Sequence, residues 1–473
     1  MWYVVEGIRA AAARNAYAPA LITEGRVVNY GELQALVARI SNNLADRRLP
    51  ARSKLFFNIA DADLRAVAMI SAIHAGHVPL ALLQPGDRSE LGDHIVVAGG
   101  RPHVPDLGPD LVLEPEVIKD GDPRLREFAD RADDELLFVT STTGTTGTRK
   151  LVAGLAGASR AVANASWAGF TADDRIMMTV GDLTAGGVTF LWLALAAGGA
   201  HVRYQNDPAR CLRFINFVGA TNLSTTPSTI TGLMDEMERA GARAPSVSRI
   251  LLFGSLFQKR LVERVERLFD AEITVSYGST EAGSISFGRL KSDTFEVGYV
   301  GELVPGITMI ASGSRANPER LTFSNAEGCS PYYVAGRLVP AATGLITLPD
   351  IGYMEGQSLY LLGRDDEVFN VSGNKTAFSL IEHALLALPG VVDVGIVGGA
   401  AIGEPAAIVV ALAGSDAVEL GAVAGAVRRV AKVPATDEAR LHAFKLDTIP
   451  RNVMGKVDRD AVIRAFRQRG GAG

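Results

Sequence analysis

The stretch Ser141–Lys150, STTGTTGTRK, carries five threonines, one serine and two glycines directly after the apolar run Leu136–Val139. A strand that empties into such a turn presents small hydroxyls and bare backbone N–H groups. Those groups close around phosphate oxygens, and glycine lets the backbone come near. A Walker A loop is excluded, because Gly144 and Gly147 lie too close together and Leu151, not Ser or Thr, follows Lys150. The same composition also marks an ordinary surface turn. Three further segments could share its chemistry. Tyr277–Gly283, YGSTEAG, ends an apolar run with a hydroxyl beside a carboxylate, a donor suited to a hard cation. Asp350 precedes Gly363–Asp366, GRDD, and Pro450–Arg459, PRNVMGKVDR, sets Lys456 behind a glycine in a turn. Each has a plainer reading: Thr280–Glu281 as a helix cap with an acidic first turn, Tyr277 as a packed ring, Asp350 as a turn residue, Lys456 as a solvated cation.

The elements that must position these residues read as α/β. Helical spacing is clear over Tyr30–Leu44, with Leu33, Leu36, Val37, Ile40 and Leu44 on one face. Lys54–Ile59, the helical Ala62–Ala75 and Val78–Leu83 give a strand–helix–strand order, the mark of a parallel sheet. Residues 98–124, rich in Pro, Gly and Asp, read as a connector between two lobes. Alternation resumes from Arg175 and ends in the strand Glu272–Ser276, which runs into YGSTEAG. From Gly298 to Leu361 the pattern is short β segments with frequent turns. The charged joint 363–367 precedes a last unit with a helix over Ser379–Leu388 and a strand over Val392–Val397.

A chain of 473 residues is too long for one compact core. Its net charge of −5 gives no electrostatic case for nucleic acid or an anionic membrane. Cys211 and Cys329 are far apart and form no metal-ligand spacing, which suits reduced thiols. The first residues read as an amphipathic helix without a signal-peptide core, and the most apolar window, Gly186–Ala200, is shorter than a bilayer span. A soluble, cytoplasmic protein without stable membrane insertion is the expectation.

Taken in order, the four segments resemble the adenylate-forming superfamily: acyl-CoA synthetases, nonribosomal peptide synthetase adenylation domains and luciferases. The family pattern is T-S-G-T-T-G-x-P-K, Y-G-x-T-E, T-G-D, G-R-x-D…G-x-K and P-x-x-x-x-G-K, and VNYGEL and GYVGELVPG also fall in their family places. The resemblance covers essentially the whole chain. It implies a large N-terminal domain, residues 1–365, of two related α/β subdomains plus a small β-barrel. A small mobile α+β domain, residues 366–473, would follow, hinged at Asp366. It implies activation of a carboxylic acid by ATP and Mg2+, then transfer to coenzyme A or to the phosphopantetheine arm of a carrier protein.

The resemblance carries roles to residues. Thr142, Thr143, Gly144, Thr145, Thr146, Gly147 and Lys150 match the loop around the β- and γ-phosphates. Tyr277 matches the residue that stacks on adenine, Gly254, Ser255 and Gly278 match nucleotide-binding positions, Gly278 also a substrate position, and Asp350 and Arg364 the ribose and neighbouring phosphate. Thr280 and Glu281 match the positions at the α-phosphate and Mg2+, and Lys456 the catalytic lysine. In a second pose the segment Gly373–Lys375 would face the site and admit the thiol.

Departures are informative. Thr143 stands where Ser is usual, Arg149 where Pro is usual and Leu151 where Gly is common, and Leu348-Pro349-Asp350 keeps only the acid of T-G-D. The segment Thr179–Gly187 lacks the aromatic-His pair of many acyl- and aryl-CoA ligases and offers Asp182, which could pair with a substrate amino group. Val188, Trp192, Leu223, Phe253 and Leu256 read equally as acyl-pocket lining and as core. Arg428, Arg429 and Lys432 could meet a coenzyme A phosphate or an acidic carrier, or form a solvated helix face. A non-catalytic nucleotide-binding relative is the alternative from another class; Glu281, Asp350, Arg364 and Lys456 together argue against it.

Overall fold

A computed structural model describes residues 2–82, 91–128, 131–141, 150–157, 168–315, 317–325, 330–334, 337–339, 345–371, 374–404, 407–415, 417–431, 441–451 and 457–469. Its architecture is the mixed α/β arrangement expected, with two large sheets and a smaller C-terminal unit. The first sheet places Leu136–Ser141 beside Val78–Ala81, Lys54–Asn58 and Ile95–Ala98, all parallel, with Leu151–Leu155 antiparallel on the other flank. Residues 98–124 are not a connector between lobes. Leu111–Val112 extends this sheet beside Ile95–Ala98, and the short helix Pro115–Asp120 is tied down by Arg39, which donates to the carbonyls of Ile118 and Gly121. Backbone polar groups found partners there, which proline and glycine content alone does not forbid.

The second sheet has a parallel centre, Ala200–Arg203, Arg175–Met178, Asn222–Thr225, Arg249–Leu252 and Glu272–Ser279. It then turns antiparallel through Gly283–Leu290, Tyr299–Leu303, Ser358–Arg364 and Leu345–Glu355. The β-rich stretch read from the sequence is therefore the far half of the same sheet, continued by Glu319–Asn325 and Ile307–Ala311.

Between the sheets lies the helix Ala185–Ala197. Thr184 caps its first turn, its hydroxyl accepting from the Gly187 N–H at 3.0 Å, and Gly198 ends it at φ +81°. Apolar on nearly every side, it packs against Tyr3–Arg14 and the parallel strands, as a helix without a polar face must. Tyr30 locks this layer by donating its hydroxyl to Gly199 O at 2.8 Å. Among the described residues no helix is long and apolar enough to cross a membrane.

Beyond Val368 the chain builds a core of its own. Phe369, Phe378, Ile381 and Leu385 pack with the strands Val391–Gly398 and Ile408–Gly414 and the helix Leu420–Ala431. A small cluster of Ile351, Tyr353, Tyr360 and Leu362 with Ala377 joins this unit to the second sheet.

Candidate active site

One cleft of about 980 Å³ runs between the two sheets and the C-terminal unit. Strand ends supply one wall of it, where a parallel sheet leaves its loops free to meet a ligand. Tyr277, Gly278, Ser279 and Thr280 lie along one edge, Gly254 and Ser255 beside them, Asp350 and Arg364 across from them. Gly254 sits at φ +90°, a conformation that favours glycine.

The YGSTEAG segment is a β-hairpin, not the start of a helix. Glu272–Ser279 pairs antiparallel with Gly283–Leu290, so Thr280 and Glu281 occupy the turn. A Cβ on Gly278 would lie 2.4 Å from Gly283 O, so the strands close this tightly only because position 278 has no side chain. The Ser279 hydroxyl accepts from the Ala282 N–H at 3.0 Å and shapes the turn. Glu281 is fixed from outside: Tyr332 donates its hydroxyl to Glu281 Oε1 at 3.2 Å, and Ser330 N–H donates to Glu281 O at 2.9 Å. Burial and the Glu281 charge push the Tyr332 hydroxyl up to about 12, so it remains a donor. The same ring lies beneath the ammonium of Lys150, 5.5 Å from its centroid. Lys150 and Glu281, far apart in sequence, thus share one aromatic support.

Tyr277, 8% exposed, donates its hydroxyl to Asp350 Oδ2 at 2.7 Å. Burial, then the Asp350 charge, raises its pKa well above the ordinary value. Asp350 stands opposite Arg364 in the antiparallel register, which brings the two predicted ribose and phosphate groups side by side. Arg364 N–H donates to Glu367 Oε2 at 3.1 Å, and Arg459 pairs with Glu367 Oε1. Asp366 is exposed in the turn that follows Arg364.

The C-terminal unit closes the cleft with Ser379, Glu382, Arg451 and Asp458. Burial and the charge of Glu367 push the Glu382 carboxyl up to about 8. Arg451 pairs with Asp393 at 2.8 Å, and Arg260 donates to the carbonyls of Val391 and Val392, holding the unit to the second sheet. Arg428 and Arg429 are exposed on their helix and do not line the cleft.

Several expected residues fall elsewhere. Thr142, Thr143, Gly144, Thr145, Thr146, Gly147 and Lys456 lie outside the described residues, as do Gly373, Lys432 and Cys329. Ser141, at the mouth of the hydroxyl loop, and Val457, next to Lys456, both line the cleft. Asp182 does not line it: the Arg65 guanidinium, 6% exposed, pairs with Asp182 at 2.8 Å, and Arg203 lies 3.6 Å away. A cationic partner already neutralises this acid, so the amine-reading role is withdrawn. Val188 and Leu223 pack into the cores, Phe253 and Leu256 line the cleft, and Trp192 does both. Sequence reasoning missed Tyr332, Glu367 and Glu382. Only the position of Glu367, three residues after Arg364, gave any signal of it.

Among the described residues no group of three or more His, Cys, Asp or Glu could hold a metal ion. A single carboxylate, Glu281, with substrate phosphates is nevertheless the usual donor set for Mg2+, which keeps most of its water. The residues fit that ion.

The sequence profile of AMP-binding enzymes matches residues 88–311. A 4-chlorobenzoate–CoA ligase of Pseudomonas sp. (strain CBS-3) is 26% identical over 284 residues, 55% of this chain and 52% of that protein. The chain thus spans about half the length of this curated relative. The ATP-bound structure of MatB from Rhodopseudomonas palustris superposes with a TM-score of 0.77 at 18% identity, covering 98% of this chain and 99% of the other. The O-succinylbenzoate coenzyme A synthetase MenE of Bacillus subtilis, with ATP and magnesium, gives 0.76 at 19% identity, covering 97% and 99%. The chain thus carries a segment similar to AMP-binding enzymes, residues 88–311, and shares the fold of these two solved structures.

Proposed function

We propose that the protein is an acid–coenzyme A ligase that works through an acyl adenylate. The observation that carries this reading is the convergence of Tyr277, Thr280, Asp350 and Arg364 on one cleft closed by the unit that bears Lys456. A substrate carboxylate oxygen attacks the α-phosphorus of ATP, and the bond to the bridging oxygen of pyrophosphate breaks. The sulfur of a thiol then attacks the acyl carbon, AMP leaves with the former carboxylate oxygen, and the thiol proton passes to solvent.

Residues divide this work. Asp350, held by Tyr277, accepts from the ribose hydroxyls, and Arg364 beside it meets phosphate charge. Thr280 donates its hydroxyl to the α-phosphate. Glu281 would hold Mg2+, which when bound neutralises charge on the phosphate oxygens. The threonine and glycine loop 142–147 and Lys150 take the leaving pyrophosphate. Lys456 enters between carboxylate and α-phosphate, where a cation favours the transition state over the separated reactants.

The domain boundary belongs to the same reading: residues 1–365 as the larger body, 366–473 as the mobile one, with Asp366 as hinge. Exposure of Asp366 and the separate core beyond Val368 support it. A cytoplasmic location fits such an enzyme. Pyrophosphate release across a panel of acids, with and without coenzyme A, tests the proposal. Release with a particular acid, accelerated by coenzyme A, is expected. Release indifferent to coenzyme A would transfer the thiol role to a carrier protein, and silence from an enzyme that still binds ATP would overturn acid activation altogether.

A further inference from the structure

The cleft is chemically divided. Every Asp, Glu, Lys and Arg among its lining residues stands at or beyond Asp350 in the chain, on the wall formed by the last strands and the C-terminal unit. A second arm, built by residues before position 200, has none among the described residues. One side of that arm is sheet. In the antiparallel register Phe138 stands opposite Gly154 and Thr140 opposite Val152, so these four share a face, and all four line the cleft. The other side is the helix Ala185–Ala197, whose Ala185, Thr189 and Trp192 follow helical spacing along one stripe and also line it.

The floor is aromatic and fixed. Phe138 meets Trp192 edge to face at 5.1 Å between centroids, and Trp2 meets the same ring edge to face at 4.8 Å. Tyr3, from the first helix, reaches the same lining. Gly154 makes the arm possible: a Cβ there would lie 2.0 Å from Phe138 Cε1 and displace the ring. Where the arm opens toward the nucleotide wall, Phe190 stacks on Phe253 at 5.9 Å. The charges near the start of the helix are already matched, since Asp182 pairs with Arg65.

We propose that this arm, from Phe190 past Phe138 and Trp192 to Tyr3, receives the tail of the acid, and that the enzyme selects carboxylic acids with an extended, uncharged apolar tail. The inference rests on the acid-activating reading above. A second carboxylate or an ammonium on the tail would lose its water against these walls and find no opposite charge among the described lining residues. A short acid would leave the arm unfilled and forgo the apolar burial.

The test compares kcat/KM for pyrophosphate release with dodecanoate, phenylpropanoate, butanoate, succinate and β-alanine. Wild-type enzyme, Thr189→Phe and Tyr3→Ala are each assayed with all five. The wild type is expected to prefer dodecanoate and phenylpropanoate. Thr189→Phe, which sets a ring into the helix side of the arm, lowers the dodecanoate-to-butanoate ratio by about tenfold or more. Tyr3→Ala, which opens the lining, shifts that ratio less. Both acids are read in the same preparation, so loss of folded protein cancels from the ratio. Preference of the wild type for butanoate, succinate or β-alanine would overturn the proposal while leaving acid activation standing, as would an unchanged ratio in Thr189→Phe. No release with any acid from an enzyme that binds ATP would instead remove the reading on which it rests.

Discussion

Tyr277 donates its hydroxyl to Asp350 Oδ2 at 2.7 Å across 73 residues of sequence, and this bond joins the end of the parallel sheet to its antiparallel continuation. Tyr277 thereby fixes the position of the Asp350 carboxylate at the cleft. Tyr277→Phe removes the donor and leaves the ring. A hydrogen bond to a charged group contributes about 1.5–3 kcal/mol, so the KM for ATP is expected to rise by roughly tenfold or more with a smaller change in kcat. Steady-state kinetics with ATP varied checks this, and a loss in kcat alone would contradict the positioning role.

Tyr332 supports Glu281 and Lys150 together. Tyr332→Phe keeps the ring under Lys150 but frees the carboxylate. The Mg2+ concentration for half-maximal rate is expected to rise by about threefold to tenfold, reflecting a bond of about 1 kcal/mol. Titration of Mn2+ by electron paramagnetic resonance in the presence of ATP gives a readout independent of turnover. An unchanged metal affinity would show that Tyr332 serves only packing.

Asp182 stabilises the fold. Arg65 is almost fully buried, and Asp182→Ala leaves its charge unmatched, a loss of about 3–5 kcal/mol for a buried pair. Thermal melting is expected to fall clearly, while the KM of the surviving enzyme for its acid stays near wild type. The reverse pattern, a stable protein with a raised acid KM, would return Asp182 to substrate recognition.

Glu382 gives the cleft a pH dependence. Its carboxyl, ordinarily near 4.5, is pushed up to about 8 by burial and the charge of Glu367. Over that window the folded protein holds a proton that the unfolded chain has released, so stability falls as pH rises from about 4.5 to about 8. Arg451 and Arg459 oppose the shift by favouring the charged form. Melting temperatures of wild type and Glu382→Gln, taken at about pH 5.5 and about pH 8.5, should diverge, the wild type losing more on going to high pH. Parallel curves would place the titration elsewhere.

Lys456→Ala should abolish adenylate formation and leave ATP binding largely intact, because its cation acts on the transition state and not on the nucleotide alone. Equilibrium binding of ATP alongside pyrophosphate release separates the two effects. Wild-type turnover in this variant would remove the lysine from the mechanism.

Local sequence determined much of this protein. The 3.6-residue spacing over Tyr30–Asp46 fixed a helix, since one apolar face must find a core. The apolar run before Ser141 fixed a strand that ends in hydroxyls, and glycine at 278 permitted a close hairpin. Motif order carried the family resemblance because it rests on residue types at short spacing along the chain. Long-range pairing was beyond such reasoning. The turn at Thr280–Glu281 read equally as a helix cap, and only pairing with Gly283–Leu290 decided it. Asp182 looked free because Arg65 lies 117 residues away, and the supports of Glu281 and Arg364 come from Tyr332 and Glu367. The uncharged arm is tertiary in the fullest sense: Tyr3, Phe138, Gly154 and Trp192 meet only when a helix and two strands pack. Spacing along the chain specifies which face a residue shares with its neighbours; which distant charge or ring completes that face is set by packing alone.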